Sequence, residues 1–251
     1  MCACCTGAHF SGWGSTPWPG RTSASPWQRA TEPAPAIRTE QESRHVSKQD
    51  RAAMMRALLV EAAAEEFERD GYAGVSLGRV SHAAGLSSGA LTFHFRQKTD
   101  LADAVVDEAR AAVRAPVSEA LSVPGTPLDQ LSGVVMAVTR VLHEKAVARA
   151  AARLELDHST GLGQWSGAWQ PLVRRLAEDA SRAGELSAGT RPEDVSALAG
   201  LFLRAVALRT AARSAAGHCP DQEGRHPHLA QHLRLWPVVR RGLAAPPPPS
   251  A

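Results

Sequence analysis

Scarcities narrow this chain before its motifs do. Its 251 residues hold four cysteines, three crowded at Cys2, Cys4 and Cys5 and the last at Cys219. That is neither a disulfide framework nor the CxxC spacing of a zinc site, so a reducing, cytoplasmic setting is expected. No apolar run approaches the roughly 20 residues that cross a bilayer, and no membrane partner is expected. Residues 1–20 lack both a basic start and an apolar stretch of about 7–15 residues, so export is not expected. Lysine occurs only at Lys48, Lys98 and Lys145 among 28 cationic side chains. A phosphate-binding loop, a GxSxG elbow and a nucleophile–base pair are all missing. The expectation is therefore not an enzyme, with no cofactor and no metal.

Period-2 alternation is lacking too, and Ala- and Leu-rich segments broken by Gly and Pro follow one another, which predicts an all-α fold. Residues 1–45 are rich in Gly, Pro, Ser and Thr with no helical period and read as a disordered arm. Residues 244–251 contain Pro246–Pro249 and read as an extended, frayed tail. Between them the spacing predicts a helix over Lys48–Asp70, in which Met55, Leu59, Ala63 and Phe67 recur at i+4 and Gly71 supplies the C-cap. Thr99 is the expected cap of a helix reaching Arg114 and closed by Pro116. Thr126–Pro127 opens another, with Leu128, Leu131, Val135, Val138 and Leu142 on one face. Further helices are expected at Ala146–Leu156, Gln164–Ala183, Pro192–Ala215 and His228–Leu243.

The informative stretch is Val75–Lys98. Ser76 is an N-cap, Leu77, Val80 and Ala84 face inward, Gly85–Leu86 turn the chain, and Ser87 caps a second short helix, Ser88–Phe95. Two helices joined by a tight Gly turn make a helix-turn-helix. Because Leu91 and Phe95 must point inward together, Gly89, Ala90, Thr92 and Phe93 face outward. Small residues let a backbone approach DNA, Thr92 can meet a base edge or a thymine methyl, and Phe93 can pack on sugars or methyls. Ser87 and Ser88 suit phosphate oxygens. From Gly71 to Thr99 there is no Asp or Glu, while Arg79, Arg96 and Lys98 are present, a window that can face a phosphate backbone. The bland alternative is a helical hairpin buried in an all-α core.

The segment Arg51–Val105, with D-G-Y at Asp70–Tyr72 and S-L-x-x-V-x-x-A-A-G-L-S-x-G-A-L-T-F-H-F-x-x-K-x-D-L after it, resembles the N-terminal domain of the TetR family. The resemblance implies that Phe93, His94 and Phe95 end the recognition helix, with Thr92 where the family most often places tyrosine. It also implies that Lys98 contacts phosphate and that Arg79 occupies a polar position facing the DNA backbone. The implied architecture is a three-helix DNA-binding domain over residues 46–114 and a helical effector and dimerisation domain over 115–243. The implied partners are double-stranded DNA with a palindromic operator, a small apolar effector, and a second copy of the chain.

A narrower resemblance, to the γ-butyrolactone receptor branch, rests on Arg153–Asp157, Trp169, Gly184–Leu186 and the helix beginning near Pro192. It implies that Trp169 stacks on a lactone ring, with Trp165 one turn away on the same face. Leu131, Val135, Val138 and Leu142 are the apolar co-liners expected. The helices Pro192–Ala215 and His228–Leu243 are expected to pair with their copies through Leu198, Leu201, Phe202, Ala205, Leu208, Leu229, Leu233 and Trp236. Two alternatives stand beside this reading. One is a TetR-type sensor of an antibiotic, drug or metabolite. The other, more remote, is a metal sensor or metalloenzyme using His218, Cys219, His226, His228 and His232, residues better read as a solvated loop.

Overall fold

The structure, a computed structural model, describes residues 40–157, 164–215 and 227–246. The chain divides into two units, Met1–Val46 and Ser47–Ala251, and the second carries everything discussed below except the first residues of α1. The elements in chain order are α1 (Glu40–Gly74), α2 (Leu77–Ala83), α3 (Ser88–His94), α4 (Lys98–Ser122), α5 (Pro127–Glu144), α6 (Ala146–Leu156), a 3-10 turn (Trp165–Ala168), α7 (Gln170–Arg182), α8 (Pro192–Ala215) and α9 (Pro227–Leu243). The fold is all-α. Among the described residues the one β-type pairing is a single bridge between Leu186 and Ala244.

The helix starts at Glu40, inside the segment expected to be an arm. The rest of that arm lies outside the described residues. Leu59, Ala63 and Phe67 are fully buried, as their i+4 spacing predicts, and Gly71 breaks the helix at φ +68°. A side chain there would also collide with the Asp157 carboxylate, 2.4 Å from the position a Cβ would take.

Three further boundaries differ from the sequence reading. Gln97, rather than Thr99, caps α4, because its side chain and that of Asp100 exchange a reciprocal capping pair. The helix then runs through Pro116 to Ser122. A mid-helix proline costs about 3 kcal/mol, but Val113 and Val117 flank it on the buried face, and α4 packs along both α5 and α6. Burial outweighs the lost hydrogen bond. The expected domain boundary near residue 114 therefore falls within a continuous helix. Third, Gln164–Ala183 is not one helix: Trp169 adopts φ −134° and separates the 3-10 turn from α7.

α5 is the central element, packed by α4, α6, α7, α8 and α9. Thr126 caps it, Asp129 completes the capping box, and Pro127 occupies the first turn. The start of the supposed tail is pinned: Ser187 N–H donates to Leu243 O at 2.9 Å and Ala245 N–H to Glu185 O at 2.7 Å. Residues 247–251 lie outside the described set.

Candidate DNA-reading face and effector cavity

Both helices of the Val75–Lys98 motif are capped as their sequence requires. Ser76 Oγ accepts from Arg79 N–H at 3.3 Å and Ser87 Oγ from Ala90 N–H at 3.2 Å. Gly85, at φ +65°, makes the turn between them. Leu91 and Phe95 are 1% and 3% exposed and join the cluster holding Val80, Phe67 and Leu101. Arg56 caps the Phe95 ring at 5.2 Å. With that face anchored, Ser87, Ser88, Gly89, Thr92 and Phe93 are exposed, and Ala90 and His94 are half-buried. Phe93 is 81% exposed, touching only the His94 ring edge-on at 5.2 Å among the aromatic contacts. Space around Gly89 is open: the position a Cβ would take lies 3.9 Å from Ser87 Oγ. Thr92 Oγ donates back to Ser88 O and Gly89 O, both at 3.1 Å, which leaves its methyl and lone pairs for an incoming group.

The two cations expected at phosphates are held within the fold. Lys98 Nζ donates to Tyr72 O at 2.9 Å and Val75 O at 3.1 Å and lies 4.2 Å above the Tyr72 ring. It ties the first turn of α4 to the end of α1, keeping one N–H beyond these two. Arg79 donates to Gly74 O at 2.9 Å and pairs with Glu66 at 2.6 Å and with Asp70. The guanidinium holds the Asp70 carboxyl below its usual range, although desolvation pulls the other way.

The second site is a cavity of about 790 Å³ between α6, the 3-10 turn, α7 and α8. Trp165 and Trp169 both line it, each 4% exposed, with ring centroids 5.9 Å apart and planes 64° apart. They meet because the 3-10 turn folds one onto the other, not as neighbours on an α-helical face. Trp169 Nε1 is buried with no hydrogen-bond partner among the described residues.

Leu131, Val135, Val138 and Leu142 do not line this cavity. All four have 0% exposure inside the bundle, on the side of α5 that its neighbouring helices cover. The remaining wall is mixed. Small residues Ser196, Ala197 and Gly200 come from α8, and Arg174, Glu178 and Arg204 bring charge. Sequence reasoning passed over these residues because Gln170, Arg174 and Glu178 recur every fourth residue, which reads as a solvated stripe. The signal was the neighbouring stripe: Val173 and Ala177 are fully buried one position away, so the polar stripe edges the core.

Two other expectations change. Trp236 is 1% exposed and packs on Phe202 at 5.3 Å, so both serve their own subunit's core, where α9 turns that side toward α5 and α8. The apolar side chains left outside are Leu198, Leu201 and Leu208 on α8 and Leu235 and Val238 on α9, with Ala205 exposed beside them; Leu229 and Leu233 are half-buried. His232 does not sit in a solvated loop. It is 3% exposed on α9, with Nδ1 3.0 Å from His143 Nε2 on α5. His218, Cys219, His226 and the His228 side chain lie outside the described residues. Among the described residues no three His, Cys, Asp or Glu side chains converge as a metal site, and no helix is long and apolar enough to cross a membrane.

A helix-turn-helix at one end of an all-α chain, and a cavity under paired tryptophans at the other, define a class. Residues 59–105 match the family model of the bacterial regulatory proteins of the tetR family. The chain is also similar to proteins of the γ-butyrolactone receptor-like branch. It is 29% identical to the A-factor receptor protein of Streptomyces griseus over 143 residues, 56% of this chain and 49% of that protein, so the match spans about half the relative's length. Among solved structures, the TetR family protein CprB of S. coelicolor A3(2) superposes with a TM-score of 0.59 at 25% identity, covering 77% of this chain and 90% of that one. A γ-butyrolactone receptor described as ArpA-like shares the fold with a TM-score of 0.56 at 24% identity, covering 76% and 98%.

Proposed function

We propose that the chain is a ligand-responsive transcriptional repressor. It acts in the cytoplasm, binds a palindromic operator as a homodimer, and is released by a small molecule of γ-butyrolactone type or a related signal. The observation that carries this reading is the outward face of α3, where Phe93 stands 81% exposed beside Thr92 and an open Gly89, on a helix pinned from behind by Leu91 and Phe95. An aromatic ring of that size held in water by a rigid motif is suited to a groove. Ser87, Ser88, Ala90 and His94 flank it, while Arg79 and Lys98 set the motif's attitude and bring positive charge to the backbone. Homodimerisation is supported by the exposed Leu198, Leu201, Leu208, Leu235 and Val238, an apolar strip on two adjacent helices. Residues 46–114 act as the DNA-binding domain and 115–243 as the effector and dimerisation domain.

For the effector, the Trp165–Trp169 wall supports a compact ring. A second reading, an antibiotic or other metabolite of greater polarity, is favoured by Arg174, Glu178 and Arg204 in the same lining. The test is a gel shift on the DNA upstream of the chain's own gene, with and without a panel of lactones and polar metabolites. Retardation reversed by a lactone is the expected result. Trp169→Ala should still bind DNA but no longer be released, and release of this variant at the same lactone concentration would remove Trp169 from the site. A chain that retards no DNA would overturn the reading.

A further inference from the structure

The 3-10 turn that carries Trp165 is held from two sides. From α4, Arg110 donates twice to the Gln164 carbonyl, through Nε at 3.2 Å and Nη2 at 2.7 Å. From α6, the Glu155 carboxylate accepts from Ser166 N–H at 3.1 Å and from Ser166 Oγ–H at 2.6 Å. Gln164 O also accepts from Gly167 N–H at 3.2 Å, so the oxygen that closes the turn is the one that Arg110 grips. Gln164, Trp165, Ser166 and Glu155 all line the cavity. At its other end α4 begins at Lys98, whose ammonium holds Tyr72 O and Val75 O just before α2. Arg110 is twelve residues further on, roughly 18 Å along a helix that transmits displacement as a rigid rod.

We propose that Arg110 is the positioning residue that reports the state of the cavity wall to the DNA-reading motif. This rests on the reading of α3 as a DNA-binding helix. A guanidinium stays charged and presents its N–H groups in a fixed fork, so two donors on one main-chain oxygen fix both the distance and the direction of that oxygen relative to α4. The contact reads backbone position and is indifferent to side-chain identity at residue 164. A ligand that displaces Trp165 shifts the turn, the turn pulls Arg110, and α4 carries the pull to the motif. Linkage makes the coupling reciprocal: DNA that fixes the attitude of α4 must alter the turn.

Reciprocity gives a test that needs no effector. A duplex selected by the wild-type chain from a random pool is the probe, and amide hydrogen exchange at Gly167 and Trp169, whose N–H groups close the turn, is the readout. Bound duplex should change exchange there by about fivefold, near the low end of couplings between linked sites. In Arg110→Ala the change should vanish while duplex affinity stays within about threefold, and Arg110→Lys, which restores one donor, should recover part of it. Arg110→Gln serves if the alanine variant folds poorly. A DNA-induced change that persists in Arg110→Ala or Arg110→Gln, or its absence in a wild-type chain that binds the duplex, overturns the role of Arg110 alone. A wild-type chain that selects no duplex overturns the DNA reading and this inference with it.

Discussion

The proposed DNA-reading end and the proposed effector end use charge in opposite ways. In the first, which the sequence marks as basic, Arg79 and Lys98 are bound to main-chain carbonyls and acids of their own domain, and the face turned outward is Gly, Thr and Phe. In the second, where an apolar pocket was expected, Arg174 and Arg204 edge the cavity beside Glu178. The difference teaches that a cation's position in the sequence does not tell what it serves. At the reading motif, charge fixes geometry so that small and aromatic groups can meet a surface; at the cavity, Arg110 and Glu155 hold the turn while Arg174 and Arg204 stay at the edge for a visitor.

The most damaging way to break that contrast is to unlock a fixed charge at depth. Arg149 on α6 donates to Glu68 on α1 at 2.8 Å, with side chains 15% and 4% exposed, and also to Leu142 O and His143 O at 3.3 and 3.0 Å. Removing one partner strands the other's charge, at a cost of about 3–5 kcal/mol. Arg149→Met should therefore lower the urea midpoint of the full chain far more than substitution of an exposed arginine. Adding Glu68→Gln should restore part of the loss, because the neutral amide no longer needs a counter-charge. If Arg149→Met costs under about 1 kcal/mol, the pair is a surface pair in energetic terms and the contrast weakens.

What the sequence made legible follows the same division. Leu91 and Phe95 inward with Phe93 outward came directly from 3.6-residue geometry, and the Ser caps and Gly85 came from local chemistry that needs no tertiary context. The α4 cap and the passage through Pro116 were not legible. Gln97 competes with Thr99 through a reciprocal bond with Asp100, and the proline is overruled by burial against α5 and α6, which lie downstream in the chain. Trp165 and Trp169 were found at the cavity, but the break between them depends on Ser166 reaching Glu155, a tertiary contact. Leu131, Val135, Val138 and Leu142 carried the right pattern for burial. Periodicity cannot separate a wall facing a ligand from a wall facing another helix.

An intermediate effect separates the two kinds of residue at the reading end. Phe93→Ala should leave the unfolding midpoint within about 0.5 kcal/mol of wild type, as exposed substitutions do. It should weaken specific DNA binding by about 1–2 kcal/mol, equally at low and high salt, since an apolar contact releases no counterions. Lys98→Met should do the converse. Stability should fall by about 2 kcal/mol as charged hydrogen bonds to two carbonyls are lost. The slope of log affinity against log salt should become shallower by about 0.9 if the remaining N–H meets a phosphate. An unchanged slope would confine Lys98 to bracing α4 against α1, and a stability loss in Phe93→Ala would mean its ring is packed in solution.

The smallest expected effect concerns Asp70, the acid that helps hold Arg79 in place. The Arg79 guanidinium hydrogen-bonds its carboxylate, desolvation opposes, and nearby Arg69 adds attraction; the balance holds the carboxyl below its ordinary value. A carboxyl depressed in the folded state stabilises fully above its unfolded pKa of about 3.9, and that contribution disappears as pH falls through the lower, folded value. Asp70→Asn should therefore lower the thermal midpoint slightly at about pH 6, and the gap between variant and wild type should close progressively as pH falls below about 4. The pair is well exposed, so added salt should shrink the gap at pH 6 as well. A gap of constant size across the acid range would show that Asp70 acts through packing at the end of α1, and that Arg79 is held by Glu66 and Gly74 without it.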